Sequence, residues 1–442
     1  MEKLDLMSRL IERARAAGAD AADAVLIAGT SLSVQRRLGR TEHIERAEGQ
    51  DLGLRVFLGA KVAIVSATSA DPAGFAALAE RAVAMARVVP EDPFAGLAET
   101  ARPPDPAALD LEDSAEPDAL SLADRAAAAE DAARAVPGVT NSEGADASFG
   151  RTEMVLVTSA GFAGRSVRTG YSISAAVVAG EGTGMQRDYD YHSTVHLDDL
   201  DDPATIGRRA GERAVARLHP TRPKTGKLPV VFDPRVAGSL LGHFTGAING
   251  AAIARGTSFL KDRMGERVFA PGVFIHDDPR RVRGARSRIF DGEGTPTAAR
   301  ALVEDGRLTT WLLDSRSARQ LGLRPTGHAV RGTGGPPGAG ASNLFLAAGS
   351  VTPAELMADI RLGIYVTELI GMGVNGLTGD YSRGAAGFLI RDGVLAEPVA
   401  EITIAGRLQE MFAAMVAAND LVFRRGTDSP TVRIDGLTMA GA

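Results

Sequence analysis

Residues 228–256, LPVVFDPRVAGSLLGHFTGAINGAAIARG, decide how this chain is read. Leu228–Phe232 is a short, continuous apolar run of the kind that forms a buried strand. Asp233 then supplies an N-cap oxygen and Pro234 a preset φ for the first helical position. The helix that follows places Val236, Leu240, Phe244 and Ile248 at helical spacing, which makes a core-facing side. Gly238, Gly242, Gly246 and Gly250 recur every four residues, so they are expected on one smooth helix face. An interior glycine costs about 1 kcal/mol against alanine, so the series should be compensated by close approach of another backbone. That backbone belongs either to this chain or to a partner subunit or extended peptide.

The same Asp-Pro device marks helices after Asp71 and Asp202. Working toward the N-terminus, Leu4, Met7, Leu10, Ile11 and Ala14 form an amphipathic helix closed by Gly18. Residues 22–69 are β-rich, and Phe75, Leu78, Ala82 and Met85 define one face of the next helix. Residues 97–118, with Pro103, Pro104 and Pro106, read as a surface linker. A helix over 122–135 and a second β-rich stretch over 139–199 follow. HPTRPKTGK, nearly devoid of apolar residues, marks the main boundary near 225. Toward the C-terminus, Asp-Gly pairs at 291, 305 and 392 predict turns, and Thr352, Pro353 and Glu355 form a capping box. The expected fold is α+β: an N-terminal region, 1–225, subdivided near 97–118, and a β-rich C-terminal domain, 226–442. Its sheets should be mixed or antiparallel, with flanking helices.

With 442 residues, 45% of them apolar and a net charge of −6, the chain has globular composition and no general attraction to nucleic acid. It contains no cysteine, which excludes disulfides, thiolate metal ligands and Cys nucleophiles. The charged N-terminus lacks a signal-peptide core and no apolar run is of membrane length, so the cytoplasm is the expected compartment.

Several patterns that suggest chemistry lack its context. Gly371, Gly373 and Gly376 match G-x-G-x-x-G, but a Gly-rich loop and hairpin follow where a dinucleotide site needs a helix. Ser258-x-x-Lys261 and Lys224-Thr-Gly226 stand in the wrong order for a penicillin-interacting enzyme. No histidine is followed by glutamate, so H-E-x-x-H is absent. His276, before Asp277 and Asp278, reads as part of a solvated turn entering DDPRR. His243, His276 and His328 remain as isolated histidines that distant folding could bring together.

The stretch from 228 through GTSFLKDRMGERV, then DGEGTPT, VEDGRLTTWLLDSRSARQLGL, TGDYSRGAAGFLIRDG and VAEITIAGRLQEMF, resembles the PmbA/TldD family, in its PmbA (TldE) branch. QRRLGRTEHIERAEGQDLGLRVFLGAKVAIVSATS is similar to the family's first domain, so the likeness spans nearly the whole chain. It implies a cytoplasmic bacterial peptidase system of two related subunits acting on unfolded peptides, with roles such as trimming an antibiotic leader or degrading an antitoxin. The TldD-type subunit would carry zinc through H-E-x-x-x-H and a Cys ligand. Aligned through Gly256-Thr257-Ser258, that motif falls on Leu241, Gly242 and Gly246, none of which binds metal or acts as base. The resemblance therefore implies no cofactor in this chain, zinc in a TldD-type partner, and a non-catalytic subunit. It would pair as a heterodimer, or with itself, and help admit an unfolded peptide by main-chain pairing. Asp380, Tyr381, Ser382 and Arg383 are candidates for lining the peptide groove, their alternative being a turn between strands; Asn343 is a weaker one. Two other readings stay open: an independent hydrolase built from His243, His276 and His328, and a homodimeric peptide-binding scaffold.

Overall fold

A computed structural model describes residues 2–100 and 106–442, so Pro103 and Pro104 of the expected linker lie outside the described residues. The first half contains α1 (Lys3–Ala16), β1 (Ala21–Arg37), β2 (Arg40–Leu58), β3 (Lys61–Ala67), α2 (Phe75–Val88) and α3 (Ala119–Arg134). It continues with β4 (Val139–Thr158), β5 (Ala163–Ala179), β6 (Gln186–Thr194) and α4 (Pro203–Ala216). These strands form one antiparallel sheet in the order β3-β2-β1-β4-β5-β6. The segments on either side of 97–118 thus share a sheet, because β1 pairs with β4. The chain near 111 runs along the part of β5 that β6 leaves uncovered, where Thr169 N donates to Leu111 O at 3.0 Å.

Helical periodicity places α1 as expected, with Met7, Leu10, Ile11 and Ala14 buried. Together with α2 it packs on β1–β3, while α3 and α4 cover β4–β6. On α2 the buried face runs through Phe75, Leu78, Ala79, Ala82, Val83 and Ala86, and Met85 is left 42% exposed. The helical period carries the stripe from Ala82 to Val83 and Ala86, past Met85. Asp71 accepts from Ala73 N and caps a short 3-10 turn, so the α-helix proper starts only at Phe75. Asp202 caps α4 through Thr205 N. The contact of α4 with α3 is intimate. A Cβ at Gly207 would run into Ala129 O, and one at Gly211 would lie 2.8 Å from Ala133 O.

The second half begins with β7 (Gly226–Phe232), α5 (Pro234–Ala247), α6 (Gly250–Ala254), β8 (Ile275–Asp277), β9 (Arg300–Glu304) and β10 (Arg307–Leu308). Then come α7 (Ser315–Leu321), β11 (Ala329–Val330), β12 (Gly338–Ala339), β13 (Leu344–Leu346) and α8 (Pro353–Met357), whose capping box is formed. The chain finishes with β14 (Leu362–Val374), β15 (Asp380–Arg391), β16 (Val394–Arg407), α9 (Leu408–Ala413), β17 (Val416–Ala417), β18 (Thr427–Asp428) and β19 (Val432–Ala440). The main sheet runs β16-β15-β14-β7-β19-β17 with β7 parallel to β14, and β19 also pairs with β16, closing it on itself. A smaller sheet, β10-β9-β8-β13-β18, and the β11-β12 pair flank it. The fold is α+β, and among the described residues its two larger sheets are one antiparallel and one mixed, while the smaller five-stranded sheet is mixed through the parallel β13–β18 pair.

Of the Asp-Gly pairs expected as turns, Asp305-Gly306 and Asp392-Gly393 make hairpin turns between consecutive strands, with both residues at positive φ. Asp291-Gly292 also turns the chain, with Gly294 N donating to Asp291 O at 3.1 Å and Phe290 bridging to Pro296, but it joins no two of the named strands. Asp291 is buried, and its carboxylate accepts from Glu293 N, Thr295 N and Ala329 N, folding the DGEGTPT segment around itself. Burial raises its pKa to about 6 despite those bonds. The halves meet at a cluster that includes Val25, Leu156, Phe162, Ile289 and Phe290. Beside it Asp23 is buried with Arg55 and Arg331, and Arg55 also reaches Glu293.

Candidate functional site

The glycine series does not form one face. Asp233 caps α5 through Arg235 N, as its sequence predicts, but the helix ends at Ala247. Asn249 is extended, and its side chain caps α6 by accepting from Ala251 N. This break turns Gly250 into the protein, where a Cβ would lie 2.5 Å from Ser317 Oγ and 2.9 Å from Leu312 O. Gly238 is half-buried, and a Cβ there would stand 3.1 Å from Thr427 O. Gly242 and Gly246 are exposed, and a Cβ at either would meet nothing within 4 Å. Close packing within the chain therefore accounts for the ends of the series and leaves its middle unexplained. Leu241, beside them, is 1% exposed and belongs to the core.

Next to the open glycines stands His243. Its ring meets Tyr381 edge-on, with centroids 5.9 Å apart. Among the described residues neither His243 Nε2 nor Tyr381 Oη, both buried, has a hydrogen-bond partner. Burial lowers the His243 pKa, and the positive charge of Arg383 adds to the effect. Burial likewise raises the pKa of the Tyr381 hydroxyl. These are two polar atoms with unused hydrogen-bonding capacity, a costly state in a dry interior.

The Asp380–Arg383 block is neither a turn nor a sheet edge. It opens β15, which is paired on both sides: Val374 and Gly406 flank Tyr381, and Ser382 lies between Gly373 and Ala405. Main-chain pairing to a peptide is closed to it. Strand alternation divides the block, sending Tyr381 inward and leaving Asp380 and Ser382 exposed. The turn lies just before it, where Asn375 Oδ1 accepts from Leu377 N and Thr378 N. Arg383 Nε donates to Ile370 O at 3.3 Å and so joins this site to the β14–β15 tip. That tip exposes Ile370, Met372 and Leu377.

Asn343 is 3% exposed and holds a loop: its Nδ2 donates to Asp278 O and Ser287 Oγ, and its Oδ1 accepts from Arg286 N. The three isolated histidines keep separate company. His276 lies on β8 and stacks on Phe345, so the expected solvated turn is a strand. His328 is buried against Asp277 at 3.2 Å and Thr326 at 2.8 Å. Among the described residues no three His, Asp or Glu side chains gather in a way that could hold a metal ion. The expected site also omitted an arginine-rich seam between the halves, whose signal lay in DDPRRVRGARSR and FRRG.

Comparison with known proteins identifies the family to which this helix-backed antiparallel sheet and strand-closed mixed sheet belong. Models of the PmbA/TldA metallopeptidase match in three parts: domain 1 over residues 22–86, the central domain over 105–218 and the C-terminal domain over 225–441. Metalloprotease PmbA of Escherichia coli O157:H7 is 35% identical over 428 residues, covering 96% of this chain and 92% of the relative. A PmbA homologue of Haemophilus influenzae is 33% identical, covering 98% and 95%. The crystal structure of TldE from Thermococcus kodakarensis superposes with a TM-score of 0.85 at 19% identity, covering 99% of this chain and all of that one, a likeness of fold. The chain belongs to the PmbA/TldD family, and its role is protease-related. No helix among the described residues is long and apolar enough to cross a membrane.

Proposed function

We propose that the chain is the non-catalytic partner subunit of a TldD/TldE-type peptidase that processes or degrades unfolded peptides. The supporting observation is the open middle of α5. Gly242 and Gly246 carry a helix-propensity penalty that no contact among the described residues offsets. A surface kept smooth at that expense suits the close approach of another chain. His243 Nε2 and Tyr381 Oη, unpartnered beside it, would then receive hydrogen bonds from that chain. The exposed apolar tip at Ile370, Met372 and Leu377 widens the same surface. Zinc and the attacking water would belong to a TldD-type subunit, because Leu241, Gly242 and Gly246 offer neither ligand nor base. The peptide would pair its main chain with a sheet edge of the assembly other than β15.

Co-expression with a TldD-type chain tests this reading. A stable complex should form, with zinc and peptide cleavage tracking the catalytic chain. Gly242→Glu should weaken the complex while leaving this chain's unfolding midpoint near wild type. Stoichiometric zinc on the isolated chain together with peptide cleavage by it alone would overturn the proposal in favour of an independent hydrolase.

A further inference from the structure

A pocket of about 360 Å³ opens where the end of β6 meets two loops of the second half, 281–285 and 423–428. Six arginines belong to these loops or the segments beside them, Arg168, Arg280, Arg281, Arg286, Arg288 and Arg425; of them Arg281 lines the pocket, next to Arg283 and Arg424, which are ion-paired to Asp199 and Asp201. Among the described residues none of the six lies within ion-pair distance of a carboxylate. Five are held by neutral oxygens. Arg168 donates to Gly284 O, Arg280 to Thr297 O, Arg288 to Gly340 O, Arg286 to Thr427 Oγ1 and Arg425 to Tyr191 Oη. Such contacts satisfy donors without cancelling charge. Accordingly burial, with Arg288 nearby, lowers the Arg168 pKa to about 10.

Arg281 differs from the others. It lines the pocket with its guanidinium 3.4 Å from the centroid of the Phe423 ring, and among the described residues it makes no side-chain hydrogen bond. A stacked guanidinium keeps its edge donors free in the fork that matches two oxygens of an oxyanion. Near the guanidinium, Asp278 and Asp428 balance part of its charge without forming an ion pair with it. Asp199 is held by Arg283 at 3.1 Å, and Asp428 accepts from Arg424 N, Arg425 N and Gly426 N.

We propose that this pocket binds an oxyanion, a carboxylate or a phosphate, through the free edge of Arg281, with Phe423 as the platform that fixes the guanidinium. The inference does not rest on the peptidase reading. Calorimetric titration of the whole chain at low salt, with inorganic phosphate and with a short peptide bearing either a free or an amidated C-terminus, tests it. One anion should bind in a one-to-one ratio. Phosphate binding identifies a phosphate site, whereas binding of the free but not the amidated peptide identifies a carboxylate site. Arg281→Ala should weaken the bound anion at least about tenfold, the scale of a lost charge-assisted hydrogen bond. Arg281→Lys should weaken it less, and Phe423→Leu should also weaken it by loosening the fork. Absence of binding by both anions, or wild-type affinity in Arg281→Ala or in Phe423→Leu, would overturn the proposal.

Discussion

Two helices in this protein carry glycines four residues apart, and they use them in opposite ways. On α4, Gly207 and Gly211 let α3 approach until its carbonyl oxygens occupy the space a side chain would need. On α5, Gly242 and Gly246 face open space. The local sequence signal is the same and the conformational penalty is the same. On α4 the penalty is offset inside the fold. At Gly242 and Gly246 on α5 nothing among the described residues offsets it, which makes this face the candidate interface.

Single substitutions test the contrast, beginning with the largest expected effect. Gly207→Ala should cost about 3 kcal/mol, because the new methyl meets the Ala129 carbonyl and α3 cannot yield without leaving the sheet. Urea unfolding would show a lower midpoint at an unchanged m-value; an unaltered midpoint would remove the packed half of the comparison. Tyr381→Phe deletes a buried hydroxyl that has no partner. The isolated chain should keep its stability or gain up to about 1 kcal/mol, while the complex with a TldD-type chain should weaken.

Gly242→Ala and Gly246→Ala should each stabilise the isolated chain by roughly 0.5–1 kcal/mol, opposite in sign to Gly207→Ala. Thermal melts of the three variants side by side would decide this, and loss of stability in the α5 pair would mean that their space is not free. The smallest effect concerns pH. His243 has a lowered pKa in the folded state, from burial first and Arg383 second. The unfolded chain therefore takes up that proton first, so stability from this site is fully present above about pH 6.5 and declines as pH falls below it. His243→Gln should flatten the slope of melting temperature between about pH 7.5 and 5.5. An identical slope in the variant would place the titration elsewhere.

Much of the architecture was legible in the sequence. The amphipathic spacing of α1, the Asp-Pro starts of α4 and α5 and the box at Thr352 are local devices that act within one turn. The outer half of β2 was not legible. Residues 40–51 are all exposed, so no burial pattern marks them as the strand they form against β1. The break at Asn249 was equally hidden, because Gly250 keeps the four-residue spacing across a helix that has already ended. At the candidate site, the sequence located α5 and Tyr381. It missed the open edge of Arg281, since an arginine's freedom depends on which distant carboxylates are occupied elsewhere.

By itself the sequence determined the α+β class, the family resemblance and the absence of any thiolate chemistry. Those follow from composition and from short-range spacing. Only the tertiary structure decided which glycines are covered, that Tyr381 lies on a strand paired on both sides, and that His243 and Tyr381 meet with unused hydrogen-bonding atoms. Spacing along a helix fixes which side chains share a face. What lies opposite that face is set by segments tens to hundreds of residues away.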